Sequence, residues 1–302
     1  VRKMRGEAGI AQQMLGISRL HIVAIASLGT LTFGWLFTGV HAPVLAVFSA
    51  VDWFLVNLIN RVVDLPEDRL NAIPGTAFAA DHHRGLIAGS IALLVASFAV
   101  GQLVVPAITP MRVAYHALGL VYNFRLIPLP GGRRTRLKEV YLVKNTASAL
   151  GFLITVFGYP LVALADRVRV GSTYVAVMAV FFFLSEISYE VVYDLRDVPG
   201  DRAAGVPTFP VVHGIRATRA IVYGLLGGSA AALAAGYVAG VIDWAAFVMV
   251  LGPAIQLAMY LRFDQRGVRV RDCIALTLIG AGLLALYNVW VLAGLPLAEP
   301  WR

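Results

Sequence analysis

A chain of 302 residues that is 59% hydrophobic and only 14% charged, with mean hydropathy +0.77, is not an ordinary water-soluble globule. The formal net charge of +8 would suggest a nucleic-acid partner in a soluble chain, but here it reads as membrane topology and contact with anionic lipid. A single cysteine, Cys273, excludes an internal disulfide and any cysteine metal cluster.

Composition therefore predicts an all-α polytopic membrane protein, a single membrane-embedded domain over residues 1–302. The opening stretch VRKMRGEAGIAQQMLGIS is basic and weakly amphipathic, with no small-residue cleavage site behind an apolar core, so no signal peptide is expected. Apolar segments of spanning length follow near 19–36, 42–60, 86–105, 107–123, 144–163, 170–192, 216–239, 243–261 and 273–295, nine in all. The fourth is the weakest, because it carries Pro110, Arg112 and His116. The seventh is rich in Gly, Ala and Ser, which let helices approach closely in lipid.

The second segment runs into NLINRVVDLPEDRLN, where Asn60, Asp64 and Asp68 recur at steps of four and so line one side of a helix. Pro66 predicts a kink or a restart there. The loop after the fourth segment is basic, GGRRTRLKE, with Lys138 and then Lys144. The sixth segment ends in EISYEVVYDLRDVPGDRAAG. There Glu190, Asp194, Asp197 and Asp201 stand at i, i+4, i+7 and i+11, again one helix side. Like charges so close need a cationic partner.

Alternating the segments across a membrane with the N-terminus inside puts all but four of the 25 basic residues on one side. That side includes Arg2, Lys3 and Arg5, and the far side keeps Arg112, Arg167, Arg169 and Arg302. The positive-inside rule then predicts a cytosolic N-terminus in an inner or plasma membrane, with both acidic rows at the cytosolic side.

Two carboxylate rows without His or Cys are a hard oxygen environment that suits Mg²⁺ better than Zn²⁺. Arg69, Arg196, Arg202, Lys138 and Lys144 lie beside them. Carboxylates, metal and cations together make a diphosphate site, and apolar spans offer a lipid-sized slot leading away from it. The combination reads as metal-assisted departure of diphosphate from an allylic isoprenoid. Blander readings attach to single residues. An isolated span-end Asp is commonly a solvated cap. Glu186, deeper in its span, is either functional or paired. Asp52 could pair with a polar residue of another helix, and His116 fits a helix–helix hydrogen bond. His82 and His83 fit a solvated loop and His213 a helix entry. The tryptophans fit interfacial or lipid-facing sites.

Asn60-x₃-Asp64-x₃-Asp68 resembles the first aspartate-rich motif of the UbiA superfamily of intramembrane prenyltransferases. Asp194-LR-Asp197-VPG-Asp201, continuing through Gly205, Thr208 and Pro210, resembles the second. The resemblance implies nine transmembrane helices around a central cavity. It further implies two Mg²⁺ ions joining a polyprenyl diphosphate donor, such as geranylgeranyl or farnesyl diphosphate, to the motifs. A hydrophobic acceptor, aromatic or lipid-like, would attack the allylic cation. In those terms Asn60, Asp64 and Asp68 form one metal-binding side and Asp194, Asp197 and Asp201 the other. Arg69, Arg202, Lys138 and Lys144 would hold diphosphate, with Tyr122 and Glu190 near the acceptor or behind the ligands. The Glu190-x₃-Asp194 spacing is similar to members that alkylate glyceryl phosphate lipids. The pattern departs from the family at Arg61, where an Asp usually follows the Asn, and at the run after Asp68. Two other functions compete: a cyclase of the same superfamily acting without an acceptor, and an ion-coupled transporter.

Overall fold

The computed structural model describes residues 17–295, so Arg2, Lys3, Arg5 and Arg302 lie outside the described residues. Among the described residues eight helices are long and apolar enough to cross a membrane: α1 Leu20–Thr38, α2 Pro43–Val63, α5 His83–Val104, α7 Val143–Ala163, α8 Ser172–Ala204, α9 Phe209–Val238, α10 Trp244–Asp264 and α11 Val270–Leu292. The fourth predicted segment is a helix of only 15 residues, α6 Thr109–Asn123. Two short helices, α3 Leu65–Leu70 and α4 Thr76–Asp81, fill the connection after α2. The bundle is all-α but for a two-residue hairpin in the loop after α6, where Ile127–Pro128 pairs with Arg134–Thr135.

Helix ends follow the sequence signals. Pro43 opens α2, where a missing N–H costs nothing. Asp64 ends α2 and Pro66 stands in the first turn of α3, so the chain restarts at the expected place. Gly205 closes α8 in the left-handed conformation that glycine adopts freely.

Packing explains the small residues of α9. A Cβ on Gly236 would meet Val177 of α8 at 2.7 Å, so α8 and α9 touch where no side chain intervenes. Ser185 and Ser229 hydrogen-bond across the same seam at 2.7 Å. An aromatic core of Phe33, Phe37, Phe157 and Phe182 joins α1, α7 and α8. Helix α5 buries little of itself and displays Ile91, Val95 and Leu103 outward, as a lipid-facing helix does.

A polar knot ties the short α6 into the bundle. Asp52 of α2 is fully buried and accepts from both arms of Arg112, at 2.9 and 2.6 Å. It also accepts from Tyr159 at 2.6 Å and lies 2.9 Å from His116 Nε2. Arg112 reaches on to the carbonyl and hydroxyl of Ser97 in α5 and lies over the rings of Phe48 and Phe98. The expected pairings of Asp52 and His116 are thus one structure, joining α2, α5, α6 and α7. Trp35 and Trp53 are not lipid-facing. Both are buried, and Trp53 stacks on Phe152 and donates to Thr155 in a π-helical stretch of α7, because an indole whose N–H finds an acceptor packs well in a core. Trp244 is exposed, as expected.

Candidate active site

The two acidic rows face one chamber. It is bounded by the ends of α2 and α3, by α6, by α7 and by α8, and spans about 1290 Å³ of space between atoms, counted with its open mouth. Its polar end is lined by Asn60, Asp64, Asp68, Asp194, Asp197 and Asp201, together with Lys138 and Lys144. Its deeper walls are Trp53, Tyr115, Tyr122 and Phe152.

Helix geometry places the acids. Asn60 donates to Asp64 at 2.6 Å across one turn and to Asn123 of α6 at 2.9 Å. The restart at Pro66 turns Glu67 and Asp68 toward the same space. On α8 the 33-residue helix carries Glu186, Glu190, Asp194, Asp197 and Asp201 along one face. The rows are stitched together where Asn71 accepts from the Gly200 amide at 2.9 Å. A Cβ on Gly200 would collide with the Asn71 carboxamide. Gly200→Ala is therefore expected to cost about 1–3 kcal/mol of stability through overpacking. Thermal unfolding in detergent checks this, and an unchanged midpoint would show that the stitch is dispensable.

Each aspartate of the rows is held by a cation. Asp64 takes Lys138 at 2.6 Å and Arg136 at 3.1 Å. Glu67 takes Lys138 at 2.5 Å and Arg136 at 2.8 Å. Asp68 takes Arg61 at 2.7 Å. Lys144 bridges Asp194 at 2.8 Å and Asp201 at 3.1 Å, while Asn145 donates to Asp194 at 2.8 Å. Asp197 is clasped by both arms of its neighbour Arg196. Glu190 accepts from Ser148 at 2.7 Å.

The donor set tests the fit to a hard cation. It consists of carboxylate and carboxamide oxygens, it demands positive charge, and Lys and Arg now supply that charge. Among the described residues no three His, Cys, Asp or Glu side chains already converge on a shared point, so these latches would have to open for a metal. The residues present fit a magnesium–diphosphate pair, which brings cation and anion together.

Not every expected residue reaches the chamber. Arg69 and Arg202 are exposed and absent from its lining. Each follows an acid by one position, and one step along a helix turns a side chain through about 100°. Tyr122 and Glu190 do line it. Glu67, Asn71 and Asn123 line it as well without having been singled out, and Arg61, Arg136 and Asn145 pair with its acids. Glu67 carried a signal, standing seven residues from Asn60 and three from Asp64.

The loop that delivers Arg136 and Lys138 is itself charged. Burial opposes the Arg136 charge, but Asp64 and Glu67 outweigh it and raise its pKa further. Burial likewise opposes ionisation of Glu139, but hydrogen bonds from Arg125, Thr135 and Arg136 prevail and hold its carboxyl down to about 2. A depressed carboxyl stabilises the fold fully above its ordinary value of 4.5 and progressively less as pH falls toward 2. Amide hydrogen exchange over residues 125–139 is expected to lose protection across that window. Glu139→Gln should start less protected and show no such step.

The UbiA prenyltransferase family profile matches residues 20–279, which spans both acidic rows and the loop between them. The chain belongs to that family. Digeranylgeranylglyceryl phosphate synthase of Methanoculleus marisnigri is 27% identical over 92% of this chain and 96% of its own length. The enzyme of the same name from Halobacterium salinarum is 32% identical over 62% of each chain. A UbiA homolog from Archaeoglobus fulgidus, solved bound to GPP and Mg²⁺, superposes with a TM-score of 0.69 over 93% of this chain and 99% of that one, at 16% identity. That likeness is one of fold. As a member of the UbiA family this chain is a membrane prenyltransferase, and the chamber is its candidate active site. Its Arg61, the departure from the usual motif, is buried and pairs with Asp68.

Proposed function

We infer that this prenyltransferase carries out Mg²⁺-dependent transfer of a prenyl group from a polyprenyl diphosphate, such as geranylgeranyl or farnesyl diphosphate, to a hydroxyl-bearing lipid. The single observation behind this reading is that both acidic rows, Lys138 and Lys144 line the polar end of one chamber whose deeper walls are aromatic. Two Mg²⁺ ions would be held by Asn60, Asp64 and Asp68 on one side and by Asp194, Asp197 and Asp201 on the other. When bound, the metal supplies charge stabilisation for the departing diphosphate oxygens.

The chain's own residues do the rest. Lys138 and Lys144, with Arg136 and Arg196, are cations paired to the carboxylates, and each can pass from an acid to a diphosphate oxygen. Arg69 and Arg202 are given no contact with it. Trp53, Tyr115, Tyr122 and Phe152 face the carbon chain. Their ring faces favour the positive charge that develops at the allylic carbon, and the apolar walls keep water from quenching it. Glu190 lies next to the ligands on the acceptor side.

The acceptor follows from the relatives' product. A digeranylgeranylglyceryl phosphate has two prenyl chains on one glyceryl phosphate, so its precursor carries one chain and a free hydroxyl. We assign this chain the same acceptor class. The nine-span arrangement counts α6 as a short ninth crossing. It puts the N-terminus and the mouth of the chamber on the cytosolic side of an inner or plasma membrane.

The test is reconstitution in liposomes with labelled geranylgeranyl or farnesyl diphosphate and a monoprenyl glyceryl phosphate, with and without Mg²⁺. A metal-dependent ether lipid and free diphosphate are expected. An acceptor-free hydrocarbon of the donor's carbon count would replace this reading with cyclisation. Cation-driven flux without diphosphate release would replace it with transport.

A further inference from the structure

Seven carboxyl groups are buried among the described residues, and six of them are ion-paired. Asp52, Asp64, Asp68, Asp194, Asp201 and Asp272 each meet an Arg or Lys within 3.1 Å. The seventh, Glu186, is 5% exposed and makes no hydrogen bond or ion pair with any described residue. A carboxyl placed mid-span with no partner costs free energy that packing does not return. Its position suggests what offsets that cost.

Ile25, Glu186 and Tyr189 stand in the wall of the active-site chamber. The same three residues border a second space, about 1040 Å³ between atoms, among α1, α8, α10 and α11. Apart from Glu186, its walls are mostly apolar, with Phe33, Phe182 and Leu284 among them. Leu251 and Leu286 on its border are 51% and 66% exposed on the bundle's outer surface, so the space communicates with the lipid. The phenol of Tyr189 reaches across to Gly280 of α11, where a Cβ would stand 2.7 Å from its oxygen. Along one face of α8, then, the side chains run from metal-type acids at Asp201, Asp197 and Asp194, through Glu190, to a lone acid at the junction of a polar chamber and a greasy one.

We propose that Glu186 takes the proton of the acceptor's hydroxyl group, whose hydrocarbon chain lies in the second space and whose oxygen sits at the junction. The proposal rests on the reaction assigned above. In the step, the bond from the allylic carbon to the diphosphate oxygen breaks and its electron pair leaves with the diphosphate. A lone pair of the acceptor oxygen forms the new carbon–oxygen bond, and the proton from that oxygen passes to a carboxylate oxygen of Glu186. No electrons are gained or lost overall. The proton returns to water through the polar chamber, with Glu190 one helical turn nearer to it. The arrangement also explains two compartments: donor and acceptor each bring a hydrocarbon chain, and their reactive ends meet at the wall the two spaces share.

Glu186→Gln keeps the shape and removes the base, and Glu186→Asp keeps the base and shortens its reach. With the full-length protein in liposomes, kcat for ether formation is expected to fall about 10²-fold or more in the Gln variant, the scale of a general base, and to recover in part in the Asp variant. Calorimetric Kd values for Mg²⁺ with a thio-substituted, unreactive donor analogue should stay within about twofold of wild type in both variants. Gln transferring at the wild-type rate would overturn the proposal, as would Gln and Asp being equally impaired. Loss of donor binding along with rate would also overturn it, since the residue would then act through packing. If the wild-type protein itself transfers nothing to a hydroxyl lipid, the assigned reaction fails first and this role with it. If the wild type transfers and Gln matches it, only the role of Glu186 falls.

Discussion

Asp64→Ala combined with Asp197→Ala is expected to lower Mg²⁺-dependent kcat/KM by about 10³-fold or more, the scale of losing preorganised charge at a leaving group. One ligand is removed from each row. Neither row alone can hold a diphosphate, because the opposing acids would then repel it without a bridging cation. The alanines also strand one cation, because Arg196 has Asp197 as its carboxylate partner whereas Lys138 and Arg136 retain Glu67. Asp64→Asn with Asp197→Asn separates the effects, since the amides keep the volume and lose the charge. Labelled-donor turnover across a Mg²⁺ series reads out both pairs. Unchanged metal-dependent turnover would end the assignment of these acids.

Asp52→Ala carries the largest expected loss of stability, about 3–5 kcal/mol, the cost of leaving one member of a buried ion pair without its mate. Arg112 is 1% exposed and would keep only the Ser97 carbonyl and hydroxyl. His116 and Tyr159 would lose their shared acceptor as well. The knot holds α6 against three other helices, and α6 contributes Tyr115 and Tyr122 to the chamber wall. Chemical unfolding in detergent micelles measures the loss, and donor binding at low temperature should survive it. A change below about 1 kcal/mol would mean that apolar packing alone positions α6.

Much of this was legible in the chain, and the reason is periodicity. Acids at steps of three and four can share only one side of a helix, so both rows could be read without coordinates. Apolar length located the eight long helices. Other features carry no period. Arg136 reaches Asp64 from 72 positions away through an irregular loop, and nothing local announces where an irregular loop will point. Arg69 and Arg202 misled for the opposite reason: adjacency in sequence is not adjacency on a helix surface. Trp53 leaves the lipid-facing habit of tryptophan because a buried acceptor, Thr155, is available to its indole. Glu186 could be marked as either functional or paired, because nothing in the chain says whether a basic side chain from another helix will reach it.

The knot around Asp52 and the latches around the acidic rows differ in kind, and that difference divides the molecule mechanically. At one end the charges are dry, mutually exclusive and saturated, so they behave as a fixed base. At the other, Lys138, Lys144 and Arg196 grip partners that a better cation could take from them. Loading and unloading should therefore reshape the rim of the vessel while its floor stays still, with each departing pyrophosphate followed by the rim snapping shut on itself.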